Sequence, residues 1–288
     1  MKYYIIYNPK SGNGVGAAKK DELKNILKDG ELEYIDTILL EDKKSLFDKL
    51  SPDDVVVLCG GDGTINHFAN ALDGYEIKNK ILYFPAGTGN DFYNDIEDKP
   101  KDRLLELNKY IVNLPYVEVN GIKKCFLNGI GYGIDGYCCE EGDRLRKLTT
   151  KPVNYTTIAL KGLIYKFKPV NAKVTVDGVT REYKKVWLAP AMNGRFFGGG
   201  MMMAPGQDRL NDEGLITSAV VNNAGKIKVI ATFPKIFKGK HVSHTEIVDV
   251  KKCHCVTVEF DRPVALQIDG ETVLNVTKYK AYSHDYRQ

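Results

Sequence analysis

Apolar residues recur along this chain with two different periods. In the first third they come in short segments: Lys2 to Tyr7 (KYYIIY), Glu33 to Leu40, Val55 to Cys59 (VVVLC) and Ile81 to Phe84 (ILYF). Runs this short, and rich in branched and aromatic residues, read as strands buried on both faces of a parallel sheet. Helical segments separate them. One is Ala17 to Leu27; another follows the third strand, where Ile65, Phe68, Ala69 and Leu72 fall at i, i+3, i+4 and i+7 and make one apolar stripe that can cover the sheet.

After about Val117 apolar and polar residues alternate, with two-residue turn signals between the runs. YVEV-NG-IKKCFL, VTV-DG-VTREYKKVWLAPA and VALQI-DG-ETVLNV each set Asn-Gly or Asp-Gly between strand-like segments, the turn chemistry that suits the right-handed twist of hairpins. This predicts an antiparallel β domain, interrupted by one helix over 154–167 with Ile158, Leu160 and Leu163 available to pack. No repeat or low-complexity linker marks the join. A division into 1–118 and 119–276 rests on the change of period alone, and the closing run 277–288 is read as a segment that could complete the first domain.

Composition narrows the classes. With 288 residues and 43% hydrophobic content the chain can fill two medium cores. No apolar run approaches the roughly 20 residues that span a bilayer, and MKYYIIYNPKSG is interrupted too soon for a secretory signal, so a cytoplasmic protein without a transmembrane segment is expected. Six cysteines are too few for a disulfide scaffold of this size and fit reduced thiols. Strand alternation sets Cys253 and Cys255 on one face and His254 on the other, which argues against zinc there. A net charge of +4 is too mild to imply nucleic acid, and it is compatible with an acidic membrane surface.

Candidate chemistry gathers at strand ends. Gly60, Gly61 and Gly63 lie where the third strand gives way to its helix, a place where free backbone N–H groups and the helix dipole attract anions, while Asp62 and Thr64 suit a phosphate or metal-water role. The first strand runs into NPKSGNGVG and the fourth into PAGTGNDF. In an open parallel sheet these C-terminal ends share one side, so the three loops could converge on one ligand. Gly12, Gly14 and Ala17, with Asp36 downstream, also satisfy a dinucleotide fingerprint, but that lone match leaves GGDGT and GTGND without a role. No Walker sequence is present.

NPKSG (8–12), GGDGT (60–64), GTGNDF (87–92), GGGMMMAP (198–205) and QIDGE (267–271), in this order over nearly the whole chain, resemble the diacylglycerol kinase catalytic-domain family, which includes bacterial lipid kinases and sphingosine and ceramide kinases. GGDGT alone would also suit NAD kinases or phosphofructokinases. The resemblance implies a three-layer α/β nucleotide-binding domain followed by an antiparallel β-sandwich, with ATP and lipid meeting in the cleft between them. By the same resemblance Asn8, Pro9, Lys10, Ser11 and Gly12, and Gly60, Gly61, Asp62, Gly63 and Thr64, would cradle the ATP phosphates, helped by Asn66 and Thr37. Thr88 and Asn90 would line the same cleft, and Asp62 and Asp91 would anchor Mg²⁺ and its waters. Phosphoryl transfer asks for charge neutralisation and alignment, which carboxylate-held Mg²⁺ beside glycine loops supplies.

Glu271 would be the general base toward the lipid hydroxyl, with Asp269 beside it. Read without the family, Asp269-Gly270 is only a hairpin turn and Glu271 its solvated neighbour. The family also implies a second, structural metal held by Glu213 and the carbonyls of Leu210 and Leu215, although Asp212-Glu213-Gly214 stands here in a longer loop than usual. Where relatives often carry a basic residue after the first phosphate loop this chain has Asn13, so Lys10, Lys19 or Lys20 would supply that charge. Phe196, Phe197 and Met201 to Met203 flank three glycines and read equally as a pliable mouth for an acyl chain or as a core strand with a bulge. FPKIFKGKH (233–241) reads as a solvated loop, with membrane contact as the sharper alternative. The expected function is Mg²⁺- and ATP-dependent phosphorylation of a diacylglycerol-like lipid at the membrane surface; the alternatives are an NAD-kinase-like activity and a non-catalytic nucleotide- or lipid-binding regulator. The sequence does not fix the subunit number, and a homodimer is compatible with it.

Overall fold

The computed structural model describes residues 1–9, 16–28, 30–40, 42–148 and 153–286. The chain divides into two compact units, Met1–Asn113 and Leu114–Gln288.

In the first unit five strands, β1 (Lys2–Tyr7), β2 (Glu31–Asp36), β3 (Val55–Gly60), β4 (Lys80–Pro85) and β5 (Leu105–Glu106), form one sheet in the order β2-β1-β3-β4-β5. The first four are parallel; the short β5 closes the β4 edge antiparallel. Helices α1 (Gly16–Ile26), α2 (Lys43–Phe47), α3 (Asp62–Ala71), α4 (Asp91–Asp95) and α5 (Asn108–Ile111) fill the connections. Every residue of β3 is buried, as a central parallel strand requires. Val55, Val57 and Cys59 share a core with Leu23 and Leu27 on the α1 side of the sheet. On the opposite face Tyr83 meets Phe92 of α4 edge-on, and Phe47 of α2 meets Phe68 of α3. The sheet is thus covered on both faces. All four stripe residues of α3, Ile65, Phe68, Ala69 and Leu72, are buried. The second strand stops at Asp36 instead of continuing to Leu40, because the Asp36 carboxylate accepts the Ile38 N–H at 2.8 Å and closes a turn that leaves Leu39 exposed.

The second unit contains β6 (Tyr116–Val119), β7 (Ile122–Cys125), β8 (Gly129–Tyr132), α6 (Ile134–Leu148), α7 (Tyr155–Lys161), β9 (Val170–Val176), β10 (Val179–Val186), β11 (Ala191–Met192), β12 (Phe196–Phe197), β13 (Met201–Met202), β14 (Ile216–Val221), α8 (Lys226–Thr232), β15 (Val248–Cys253), β16 (Cys255–Ile268) and β17 (Glu271–Tyr282). All its strand pairs are antiparallel. The long β16 ties the layers together: its first half pairs with β9, its second half with β8, and a register shift lies between Glu259 and Leu266. The three Asn-Gly and Asp-Gly turns close the β6-β7, β9-β10 and β16-β17 hairpins with positive φ at Asn120, Asp177 and Asp269 and at the glycines after them. Buried aromatics fill the core, and their polar tips find carbonyls: Tyr279 Oη donates to Ala189, Trp187 Nε1 to Ala224 and Tyr132 Oη to Val276.

Three expectations change. Residues up to Tyr282 of the closing segment belong to β17, which pairs with β16 and β6, so that part builds the second unit and not the first. The helix expected over 154–167 is α7 continued as a π-helical turn, Gly162–Lys166; it buries Ile158 and Leu163 but leaves Leu160 exposed. Helix α6 has no counterpart in the expected elements. Its Gly136 reads as a helix breaker, yet the glycine is there for packing: a Cβ at 136 would lie 1.9 Å from the Ala265 carbonyl oxygen. Cys253 and Cys255 are buried, with His254 exposed at the bend between β15 and β16.

Candidate functional site

The first unit gathers its motifs where β1, β3 and β4 end. Ala86 donates to the Gly60 carbonyl at 2.7 Å and Asn8 to the Cys59 carbonyl at 3.4 Å, so the three strand ends are stitched side by side. Gly61 caps α3 in an extended conformation, and Asp62 opens the helix, where a carboxylate is favoured by the dipole. The same carboxylate reaches the start of α4. Its two oxygens accept the backbone N–H groups of Phe92 at 2.8 Å and Asp91 at 3.0 Å, so one side chain binds two helix starts to one another. The backbones also touch: a Cβ at Gly87 would lie 2.6 Å from the Gly61 Cα. Gly60 is dictated by Thr64, whose hydroxyl would lie 2.2 Å from a Cβ there. Gly63 is different. Nothing in the protein lies within 4 Å of its missing Cβ, so its bareness leaves open space beside an exposed helix start.

Several residues expected to face nucleotide have partners within the protein. Asn90, in the left-handed region at φ 50°, accepts the Gly87 N–H and donates to the Gly87 carbonyl, so its amide braces the GTGND loop. Asn66 is buried and receives the Asn70 amide one turn later. Thr37 donates its N–H to the Tyr7 carbonyl at 3.0 Å, joining the end of β2 to the end of β1, and Thr88 is exposed. Burial pushes the Cys59 thiol up to about 12, so this cysteine stays protonated beside the loop. Asn8 and Pro9 lie at the end of β1. Lys10, Ser11, Gly12, Asn13 and Gly14 lie outside the described residues, which takes the dinucleotide fingerprint outside them too.

The second unit places Asp269 and Glu271 at the β16-β17 hairpin with unlike partners. Asp269 accepts three successive backbone N–H groups, from Leu127 at 2.6 Å, Asn128 at 2.8 Å and Gly129 at 3.0 Å. This loop is held from behind as well, since Arg209 donates to the Leu127 carbonyl and the Asn128 side chain, and Asn193 to the Leu127 carbonyl. Gln267 receives the Gly270 N–H at 2.6 Å and donates to Asp135 at the start of α6, which fixes the turn from its other side. Glu271 instead pairs with Lys124 of β7 and remains 44% exposed, within reach of a proton donor from solution. Lys124 and Arg209 meet the QIDGE motif only through strand pairing and loop packing, which the sequence does not display; Gln267 belongs to the motif, and its bracing contacts are what the structure adds.

The residues expected to hold a second metal do not fit one. The Leu215 carbonyl oxygen accepts the Gln207 amide at 2.8 Å and the Asn211 amide at 2.9 Å, so both its lone pairs face N–H groups; Glu213 is exposed. Two neutral amides close this loop where a cation was expected. The glycines of GGGMMMAP form the turn of a small hairpin, β12 with β13; Phe197 and Met203 are buried with Met192 and Ile236, while Phe196, Met201 and Met202 are half-buried.

Residues 2–113 match the model of the diacylglycerol kinase catalytic domain, and residues 128–280 match that of the YegS C-terminal NAD kinase beta sandwich-like domain. The chain belongs to the diacylglycerol kinase catalytic-domain family. It is 28% identical over 226 residues to a diacylglycerol kinase of Mycobacterium tuberculosis, covering 76% of this chain and 70% of that one. It is 25% identical over 248 residues to the putative lipid kinase YtlR of Bacillus subtilis, covering 79% and 77%. The crystal structure of a putative diacylglycerol kinase from Bacillus anthracis has the same fold, with a TM-score of 0.69 at 22% identity over 98% of this chain and 93% of that one. Membership makes this a lipid kinase-like protein with an α/β unit and a β-sandwich-like unit. Among the described residues no helix is long and apolar enough to cross a membrane.

Proposed function

We propose that this protein transfers the γ-phosphate of ATP to a hydroxyl of a diacylglycerol-like lipid, working in the cytoplasm and visiting the bilayer surface. The observation that carries the reading is the corner at Asp62, where two helix starts and the bare Gly63 are tied together over the ends of three parallel strands. Backbone N–H groups at such a corner suit phosphate oxygens. Asp62 and Asp91 offer the hard oxygens Mg²⁺ prefers. When bound, Mg²⁺ would neutralise charge on the transferring phosphate. The protein's own part is to hold that phosphate on backbone and to take a proton from the lipid hydroxyl.

Glu271 suits the second task. Its neighbour Asp269 fixes the turn through three amides, while Glu271 pairs with the Lys124 ammonium and stays 44% exposed, where a lipid hydroxyl can reach it.

The test is transfer of label from γ-labelled ATP with Mg²⁺ to micelle-dispersed diacylglycerol, monoacylglycerol, sphingosine, ceramide and phosphatidylglycerol, with NAD as the soluble control. Labelled diacylglycerol or a near relative is the expected result. Label appearing only in NAD, or in nothing despite ATP binding, would overturn the reading.

A further inference from the structure

We infer that the face made by α7, the π-helical turn after it, and α8 with the 3-10 turn that follows it, Phe233–Lys238, is a docking surface for an anionic phospholipid bilayer. The two segments belong together: the Lys226 ammonium donates to the Ile164 carbonyl at 2.8 Å, and Phe233 packs into the cluster of Ile158, Ala159 and Cys138. Ile158, Leu163, Val229 and Ile236 point inward and are buried. The outer side is apolar too, with Ile227 at 87%, Tyr165 at 77%, and Ile164, Phe237 and Leu160 at 38%, 38% and 36% exposure. A water-facing surface rarely collects aliphatic and aromatic side chains in this way without a use for them.

Charge names the occupant. Over 153–168 and 222–244 the chain has no aspartate or glutamate, while it carries Lys161, Lys166 and Lys168 in the first segment and Lys226, Lys228, Lys235, Lys238 and Lys240 in the second, of which Lys228 pairs with Glu246 just beyond it at 2.8 Å. This positive excess is larger than that of the whole chain, which is +4. Lys166 and Lys168 continue into a hollow of about 320 Å³ that Arg262 also lines, with Glu140 as its one acidic residue. Apolar tips among lysines whose stems can lie along the acyl boundary, with ammonium groups at headgroup level, fit an interface of anionic lipid. A second copy is disfavoured, because it would set lysine against lysine. Nucleic acid would leave Ile164 and Ile227 in water.

The inference deepens the kinase reading by naming how the protein meets a bilayer, and it is tested without catalysis. The full-length protein is floated with phosphatidylcholine vesicles, with and without phosphatidylglycerol, at low and high salt. Binding is expected only with phosphatidylglycerol, and weaker as salt rises. Tyr165→Asp with Ile227→Asp should weaken it by about tenfold or more, and so should Lys161→Glu with Lys238→Glu, each with an unchanged melting curve. Val179→Asp, on the exposed β10, should bind as the parent does. The assignment is overturned by equal flotation with both vesicle types or with neither, by patch variants that float like the parent, or by sedimentation equilibrium showing a dimer that the patch variants abolish. Kinase activity on short-chain lipid in micelles, measured on the same variants, reports separately on the phosphoryl-transfer reading.

Discussion

The two units both set aspartate beside glycine in a turn, and they use their carboxylates differently. In the first, Asp62 ties the starts of α3 and α4 together by accepting one backbone N–H on each oxygen. In the second, the task is divided. Asp269 accepts three backbone N–H groups and fixes the turn, and Glu271, two residues on, pairs with Lys124 and remains 44% exposed. A carboxylate committed to several amides makes geometry; one exposed at the surface is accessible to a reacting proton. The acid bound by amides and the accessible acid should therefore respond to substitution in opposite ways.

The largest effect is expected at the accessible acid. Glu271→Gln should lower kcat by about a thousandfold, the scale of a lost general base, while thermal stability stays close to the parent because an exposed ion pair contributes little. A variant that turned over normally would remove Glu271 from the mechanism. At Asp269 the order reverses. Asp269→Asn keeps a residue tolerant of the left-handed backbone at φ 46° but loses the charge shared among three amides. Urea unfolding should show a loss of about 2–4 kcal/mol. Little loss there, with a large loss from Glu271→Gln, would mean that the turn is held chiefly by Gln267 and Arg209. Asp62→Asn should destabilise less, by about 1–2 kcal/mol, since it weakens two helix-start bonds on a partly exposed side chain. It should also raise the KM for ATP, and an unchanged KM would detach the Asp62 corner from nucleotide.

How far the sequence could be read follows from the same contrast. The alternation of apolar runs and the three Gly-containing turns marked the parallel sheet and the hairpins, because strand burial and positive φ leave local traces in residue type. Helix α6 left none: Gly136 and Gly142 mimic breakers, and their reason, contact with Ala265 and with Tyr155, is non-local. The site divides likewise. Glycines and acids in fixed order were legible by their resemblance to a family, whereas the service each gives was not. That Asn90 braces its own loop, or that Asn211 and Gln207 close the loop expected to hold a metal, depends on pairings between side chains and distant backbone. Such pairings carry no periodicity.

The smallest effect extends the contrast to a buried base with no charged partner at all. His241 is 3% exposed; one ring nitrogen lies 3.1 Å from the Met203 carbonyl and Nδ1 has no partner. Burial holds its pKa below the ordinary 6.5, opposed by the bond to Met203 and assisted by the nearby His244. The folded protein therefore binds this proton less readily than the unfolded chain, and stability is lost as pH falls below about 6.5 and is level above it. One such proton bounds the slope at about 1.4 kcal/mol per pH unit. His241→Gln keeps an N–H for the Met203 carbonyl and cannot titrate, so urea midpoints taken from pH 7.5 to 5.5 should fall for the parent and stay flatter for the variant. Parallel curves would show that the loss comes from other groups, and that His241 accepts its proton in place.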